Sequence, residues 1–353
     1  MKILVATDAW HPQVNGVVRT LGHVAREAHA LGAQLEFLTP AEFWTLPMPS
    51  YPEIRLALPG PGDVERRLDR LLPDASHIAT EGPLGHAVRR VCMKRSLPFT
   101  TSLHTRFPDY LAQRLQVAQR WTCDVTWGWL RRFHGAGAAV LAATPTLGSE
   151  LTARGFKNVK LWPRGVDAGF FRPRTGAKDL SGALDLPRPI FLTVGRVAVE
   201  KNLEAFLKLD LPGTKLVVGD GPARTQLAKA YPDAVFLGAR DGEALAEIYA
   251  AADVFVFPSR TDTFGLVLLE ALASGVPVAG VPAAAPCDVI GDAPVGVLDE
   301  DLRRACLEAL ECSRDDCRDF ALGMTWQASA RIFIAHVTEA AKFARAKPTP
   351  VAA

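Results

Sequence analysis

The chain has 353 residues, 48% of them apolar and 22% charged, with a formal net charge of +2. At about 150 residues per domain this suggests two globular domains, and a charge so near balance argues against a dedicated nucleic-acid binder. The six cysteines form no CxxC pair and no spacing with histidines that reads as zinc, so a reduced cytoplasmic protein is expected.

The opening MKILVATDAWHP has only a short apolar stretch before Asp8 and reads as a first strand rather than a signal peptide. VVRTLGHVAREAHALG follows, with apolar residues at three- and four-residue intervals and a close on Gly32, as in an amphipathic helix. DVERRLDRLL (63–72) is amphipathic too, its three acids balancing three arginines. QLEFLT, SHIAT, FTTSLH and AVLAAT are further strand candidates, each leading into a helical stretch. The segment RLQVAQRWTCDVTWGWLRRFH (114–134) sets Trp121, Trp127, Trp129 and Phe133 among Arg114, Arg120, Arg131 and Arg132. Such aromatics with arginines suit the headgroup region of an anionic bilayer, with Trp127, Trp129, Arg131 and Arg132 as membrane contacts. Buried tryptophans with solvated arginines fit the pattern equally.

Around 161–189 the alternation breaks into Pro, Gly and Arg, as in an interdomain connection. It restarts with IFLTVG, KLVVG, AVFLG and DVFVFP. The last amphipathic stretch, TWQASARIFIAHVTEAAKF, is expected to pack back on the first domain. The expected organisation is a domain over 1–165, a second over 166–325, and a terminal helix over 326–345. Strand–helix alternation of this kind predicts an α/β fold with two Rossmann-like domains. No apolar run approaches the roughly 18–20 residues of a membrane span, so any membrane contact would be peripheral.

In open parallel sheets ligands gather at the carboxyl ends of strands. After DVFVFP comes PSRTDTFGLVLLEALASGVPV, with Asp262 and Glu270 flanking an apolar helix that opens at Phe264-Gly265-Leu266. Free N–H groups at a helix start favour an anion. The acids lie at most about 12 Å apart along a helix, a span suited to gripping two hydroxyl-bearing ends of one ligand. Taken alone, they fit equally a helix cap and a solvated face. TVGRVAVEKNL places Arg196 and Lys201 after another strand, where two cations would pair with a pyrophosphate. In the first half, Asn15-Gly16 opens the first helix and His104 follows the strand FTTS; these read as a βα turn and a lone histidine, or as ligand contacts. G-x-G-x-x-G is absent from the first turn, against a nicotinamide or flavin enzyme. Asp299-Glu300-Asp301 has a metal-clamp spacing but opens a helix, where acids favour the dipole. No metal site and no cofactor are expected.

The sequence resembles glycosyltransferase family 4, carried by VNG, SLHTRFPDY, RGVD (164–167), GRVAVEKNL, GDGP and above all PSRTDTFGLVLLEALASGVPV. The resemblance implies the GT-B fold, two Rossmann-like domains facing a central cleft, and retaining transfer from a nucleotide-diphosphate sugar without a metal. It implies that Arg196 and Lys201 neutralise the departing diphosphate and that the Phe264–Leu266 backbone bonds it or the sugar. Asp262 would hold sugar hydroxyls, Glu270 the ribose, Gly16 would clear space for the diphosphate, and His104 would sit beside the transferred sugar. The family more often has Glu where this chain has Asp262, which bears on donor identity. A UDP-sugar is the expected donor, with GDP-mannose as an alternative. The expected acceptor is a membrane lipid such as diacylglycerol, reached by a cytoplasmic, peripherally bound enzyme. The competing readings are a soluble or polysaccharide acceptor and a nucleotide-sugar epimerase of the same fold.

Overall fold

Residues 1–13, 15–48, 51–104, 119–174 and 186–345 are described in a computed structural model. The chain divides into two units, Met1–Pro163 with Trp326–Ala353, and Arg164–Thr325.

Unit 1 carries β1 (Lys2–Ala6), α1 (Gly16–Ala30), β2 (Gln34–Leu38), β3 (Thr45–Met48), β4 (Tyr51–Ala57), α2 (Asp63–Leu71), β5 (Ala75–Ile78), α3 (Pro83–Lys94), β6 (Phe99–Ser102), α4 (Gln119–His134), β7 (Ala139–Ala142), α5 (Pro145–Ala153) and β8 (Val159–Leu161). Among the described residues its main sheet is parallel in the order β2-β1-β5-β6-β7-β8, and β3 and β4 form a separate antiparallel hairpin. Ile3, Leu4, Val5 and Ala6 are all fully buried, because helices cover both faces of a parallel sheet and its strands need apolar residues on both sides. The terminal helix (Trp326–Arg345) packs on α1, β5 and β6.

One expectation for unit 1, the membrane role of Trp127, is corrected, and one aromatic gains a place. Trp162, near the end of the expected first domain, has a fully buried indole, 4.8 Å from the Phe333 ring. Its Nε1 donates to Ser329 Oγ at 3.1 Å, and that hydroxyl donates to Pro163 O at 2.7 Å. A lone aromatic between Leu161 and Pro163 carries no periodic signal, so only packing reveals it as core. Trp127, expected at a membrane, is 6% exposed. It packs with Leu103, Leu130 and Phe156, and the Arg154 guanidinium lies 4.2 Å above its ring. Trp129 remains 41% exposed, and Arg131 and Arg132 are exposed beside it. Arg114 and the side chains of Arg120 and Trp121 lie outside the described residues.

Unit 2 carries β9 (Ile190–Val194), α6 (Leu203–Leu207), β10 (Thr214–Val218), α7 (Arg224–Ala230), β11 (Val235–Gly238), α8 (Gly242–Ala251), β12 (Val254–Phe257), α9 (Leu266–Ala273), β13 (Val278–Gly280), α10 (Ala284–Ile290), β14 (Gly296–Leu298), α11 (Leu302–Glu308) and α12 (Arg314–Leu322). Its parallel sheet runs β11-β10-β9-β12-β13-β14 among the described residues. Strand order therefore reverses between β9 and β12, and in unit 1 between β1 and β5. Crevices at the carboxyl ends of strands open at such reversals.

At the reversal in unit 1 the protein has filled the crevice with its own carboxylate. Asp8, 5% exposed, accepts from the backbone N–H of Leu84 at 2.9 Å and Gly85 at 3.2 Å, and from Thr80 Oγ1 at 3.0 Å. These amides belong to the first turn of α3, whose free donors and dipole favour an anion. Burial nevertheless dominates and raises the Asp8 pKa above its usual value, against those hydrogen bonds. Gly82 is required beside it, since a Cβ there would lie 2.4 Å from the Asp8 carboxyl carbon. Asp8→Ala should strand two helix-start donors and lower stability by about 1–3 kcal/mol. Asp8→Asn, which keeps one acceptor, should lose less. Denaturant unfolding of the three proteins checks this ranking, and an alanine variant as stable as wild type would contradict it.

Candidate active site

The reversal in unit 2 gathers the residues singled out by their sequence. At the ends of β9 and β10 the two loops lie backbone against backbone. A Cβ on Gly219 would come 1.8 Å from Gly195 O, and one on Gly221 would come 2.4 Å from Val197 O. Val197 N donates to Asp220 O at 2.9 Å, and Ala223 N donates to Val197 O at 3.0 Å. Glycine is thus what lets the Arg196 loop be held in place, and Arg196 itself is half-buried. GDGP, one of the motifs that carry the resemblance, is the second half of this clamp.

The Arg196 loop is also tied to the one after β12. Asn202, in the left-handed region at φ 52°, donates through Nδ2 to Pro258 O at 3.1 Å, and Thr261 Oγ1 donates to Glu200 O at 3.3 Å. Between these ties Lys201 Nζ donates to Asp262 Oδ1 at 2.5 Å, the side chains being 25% and 15% exposed. The other oxygen, Asp262 Oδ2, is buried and accepts no hydrogen bond. Ser259 Oγ, three residues earlier in the same loop, is also buried and unpartnered. Buried polar atoms are nearly always satisfied in folded proteins, so two orphans in one loop beside an ion pair point to a polar ligand. Asp262 is not the cap of the following helix: Gly265 is, at φ +80°. A Cβ on Gly265 would lie 3.1 Å from the Phe257 ring. Phe264 is buried, and Leu266 is the first residue of α9.

Glu270 does not lie on a solvated face. It is 4% exposed within α9, and its Oε2 accepts from the Tyr249 hydroxyl at 3.0 Å. The amphipathic pattern is absent because α9 is buried on nearly all sides, Leu268 through Ala273 included. Its carboxyl end is held by Arg318, which donates to Ala273 O at 2.7 Å as well as to Phe171 O and Ala168 O. An arginine serving last-turn carbonyls replaces missing intrahelical partners.

The other candidates, Gly16 and His104, belong to unit 1. Asn15 caps α1, with Oδ1 accepting from Val17 N and Val18 N at 3.0 Å each, which leaves Gly16 exposed as the first helical residue. His104 is half-buried just past β6, with Nε2 2.8 Å from Ser102 Oγ. The acidic run at 299–301 is structural: Asp301 Oδ1 accepts from Arg303 N and Arg304 N, and Glu300 pairs with Arg260. Ser259 and Tyr249 were missed from sequence. A serine after a strand and a tyrosine in a helix carry no pattern, and their significance comes from what they face.

Residues 14–170 match the family described as Glycosyltransferase Family 4, and residues 188–312 match Glycosyl transferases group 1. Sulfoquinovosyl transferase SQD2 of Arabidopsis thaliana is 32% identical over 257 residues, 70% of this chain but only 50% of that protein. A GDP-mannose-dependent alpha-mannosyltransferase of Mycobacterium tuberculosis is 31% identical over 319 residues, 84% of this chain and 83% of its own. An alpha-monoglucosyldiacylglycerol synthase of Streptococcus pneumoniae is 27% identical over 354 residues, covering 89% and 79%. Among solved structures, sucrose-phosphate synthase from Thermosynechococcus elongatus superimposes with a TM-score of 0.76 at 19% identity, over 98% of this chain and 100% of that one. The parallel sheets, the loops gathered at their reversals and these matches agree: the chain belongs to glycosyltransferase family 4, hexosyltransferases of the GT-B fold.

Proposed function

We propose that this enzyme transfers a hexosyl or hexuronosyl group, with retention, from a nucleotide-diphosphate sugar to a membrane lipid such as diacylglycerol. The observation that carries the donor half is the orphaned Asp262 Oδ2 beside Ser259 Oγ, next to the Lys201–Asp262 pair. A sugar hydroxyl donating to Asp262 Oδ2 would satisfy the one atom, and Ser259 Oγ would bond a neighbouring ligand oxygen. Arg196 and Lys201 would stabilise diphosphate charge, which grows as the sugar–oxygen bond breaks. The N–H groups at the Gly265–Leu266 helix start would add donors. Glu270, oriented by Tyr249, would receive the ribose. The leaving diphosphate would help deprotonate the acceptor, so no metal is invoked. UDP-sugars and GDP-mannose are the donors to test; the mannosyltransferase relative, GDP-mannose-dependent by name, supports the second.

The acceptor half rests on the diacylglycerol relative and on one surface of unit 1. The β3–β4 hairpin and α2 border an open hollow of about 810 Å³ lined by Trp44, Arg55, Leu58 and Arg70, with Arg66 paired to Asp63 and Arg67 to Glu42. Trp44 is 88% exposed, Leu46 57% and Leu58 48%. The Trp44 backbone is fixed, since its carbonyl accepts from Leu58 N at 2.7 Å. A solvent-exposed indole beside exposed aliphatics and arginines suits a headgroup layer. This surface is a better membrane contact than α4, where Trp127 is core. Among the described residues no helix is long and apolar enough to cross a membrane.

Four measurements test the reading. Ser259→Ala, Asp262→Ala and Glu270→Ala should each lower kcat/KM for donor by about 5- to 150-fold, the equivalent of about 1–3 kcal/mol per lost hydrogen bond. Label should pass from donor into a lipid-extractable product; isomerised donor without acceptor would mean an epimerase. Arg196→Ala should reduce kcat more than it raises KM, because its contribution grows in the transition state. It is a cleaner test than Lys201→Ala, which also strips Asp262 of its partner, and a pure KM effect would make Arg196 a binding group only. Wild type should sediment with anionic vesicles at low salt and be released by high salt, with Trp44→Ala and Arg70→Glu weakening the binding. Wild type left in the supernatant would favour a soluble acceptor.

A further inference from the structure

Strand β6, FTTS, points Thr100 and Ser102 to one face of the sheet and Thr101 to the other, as alternation requires. On the first face the fully buried His77 of β5 lies between the two hydroxyls. Its Nδ1 is 2.8 Å from Thr100 Oγ1 and its Nε2 is 3.1 Å from Ser102 Oγ. The same Ser102 Oγ is 2.8 Å from His104 Nε2. Thr100, His77, Ser102 and His104 therefore form one line of polar side chains, from the closed interior to the carboxyl end of the strand. Trp162 meets both imidazoles edge-on, at 5.9 Å from His77 and 5.8 Å from His104, and Phe333 meets His77 at 5.0 Å. Both rings are thus held by packing as well as by hydrogen bonds.

We propose that this buried line sets the tautomer of His104, making His77 and Ser102 positioning residues for it. The inference rests on the reading of His104 as a residue beside the transferred sugar. The direction of the line follows from proton counting. A neutral imidazole has one N–H and one acceptor nitrogen, and a hydroxyl has a single proton to donate. Thr100 Oγ1 is buried with His77 Nδ1 as its hydrogen-bond partner, and a buried donor left unmade is costly. Thr100 therefore donates to His77 Nδ1, which places the His77 proton on Nε2. That N–H points to Ser102 Oγ, so the Ser102 proton turns to its other partner, His104 Nε2. His104 then accepts at Nε2 and carries its own proton on Nδ1. The interior thereby makes His104 Nδ1 a hydrogen-bond donor, fit for a sugar oxygen and unfit to accept from a sugar hydroxyl. The two histidines hold opposite tautomers, coupled through one serine proton.

The test is two-dimensional NMR of protein labelled with ¹⁵N-histidine, correlating ring nitrogens with ring carbon-bound protons, with His77→Gln and His104→Gln assigning the signals. Wild type at neutral pH should show His104 protonated on Nδ1 and His77 on Nε2. Ser102→Ala should release His104 from the Nδ1–H form, and Ser102→Thr, which keeps the hydroxyl, should restore it. Wild-type His104 protonated on Nε2, or on Nδ1 regardless of residue 102, overturns the proposal. Should Ser102→Ala fail to fold, Ser102→Gly takes its place, release of His104 from the Nδ1–H form supporting the coupling and its persistence overturning it. In transfer assays Ser102→Ala should lose kcat with donor KM unchanged, and Ser102→Thr should recover it. The tautomers are read without any substrate, so a wild type that transfers no sugar would overturn the functional reading and leave this result standing.

Discussion

Parallel strands place all their βα loops along one edge of a sheet, and reversal of strand order sends neighbouring helices to opposite faces. In unit 2 that constraint brings the loops after β9 and β12 together at the reversal, where Lys201 of the first meets Asp262 of the second. Everything proposed for the donor depends on those two loops being rigid with respect to each other. Glycine-permitted backbone contacts fix the first, and the Asn202 and Thr261 hydrogen bonds tie it to the second. The Lys201–Asp262 pair is then held in one geometry with one carboxylate oxygen unused.

The two units treat their reversals differently. In unit 1 Asp8 is saturated by two helix-start amides and a threonine hydroxyl, so the crevice is closed by the protein's own anion. In unit 2 the carboxylate at the reversal, Asp262 after β12, has a lysine partner on one oxygen and no hydrogen bond on the other. The contrast follows from what each loop supplies: Thr80 and the start of α3 lie against Asp8, whereas Asp262 precedes a left-handed glycine that leaves the start of α9 uncapped by any side chain.

Aromatic residues show where sequence patterns mislead. Arginines and tryptophans in α4 resemble an interfacial helix, but Trp127 and Phe133 point into the core and Arg154 stacks on the former. The residue entering the hairpin, Trp44, with no comparable run of aromatics around it, is the most exposed tryptophan among those whose side chains are described. A tryptophan's neighbours in sequence say little about its neighbours in space, because burial depends on which face of the element meets the sheet.

Sequence alone determined the α/β architecture, since short apolar runs alternating with helical periodicity admit few other folds. Its motifs also pointed to the family, and its residue order placed Arg196, Lys201 and Asp262 in loops after strands, because loop position is local; of these the structure pairs Lys201 with Asp262. The three-residue strands β8, β13 and β14 were not legible, being too short to show a period. Nor was the burial of Glu270, which an acid in an apolar helix leaves open. Only the tertiary structure decided that Ser259 Oγ and Asp262 Oδ2 lack partners, that Tyr249 orients Glu270, and that His77 reaches His104 through Ser102. The last two are relations between side chains on different helices or strands, and the first is a matter of what packs around a loop; all are set by register and packing, which residue order does not encode locally.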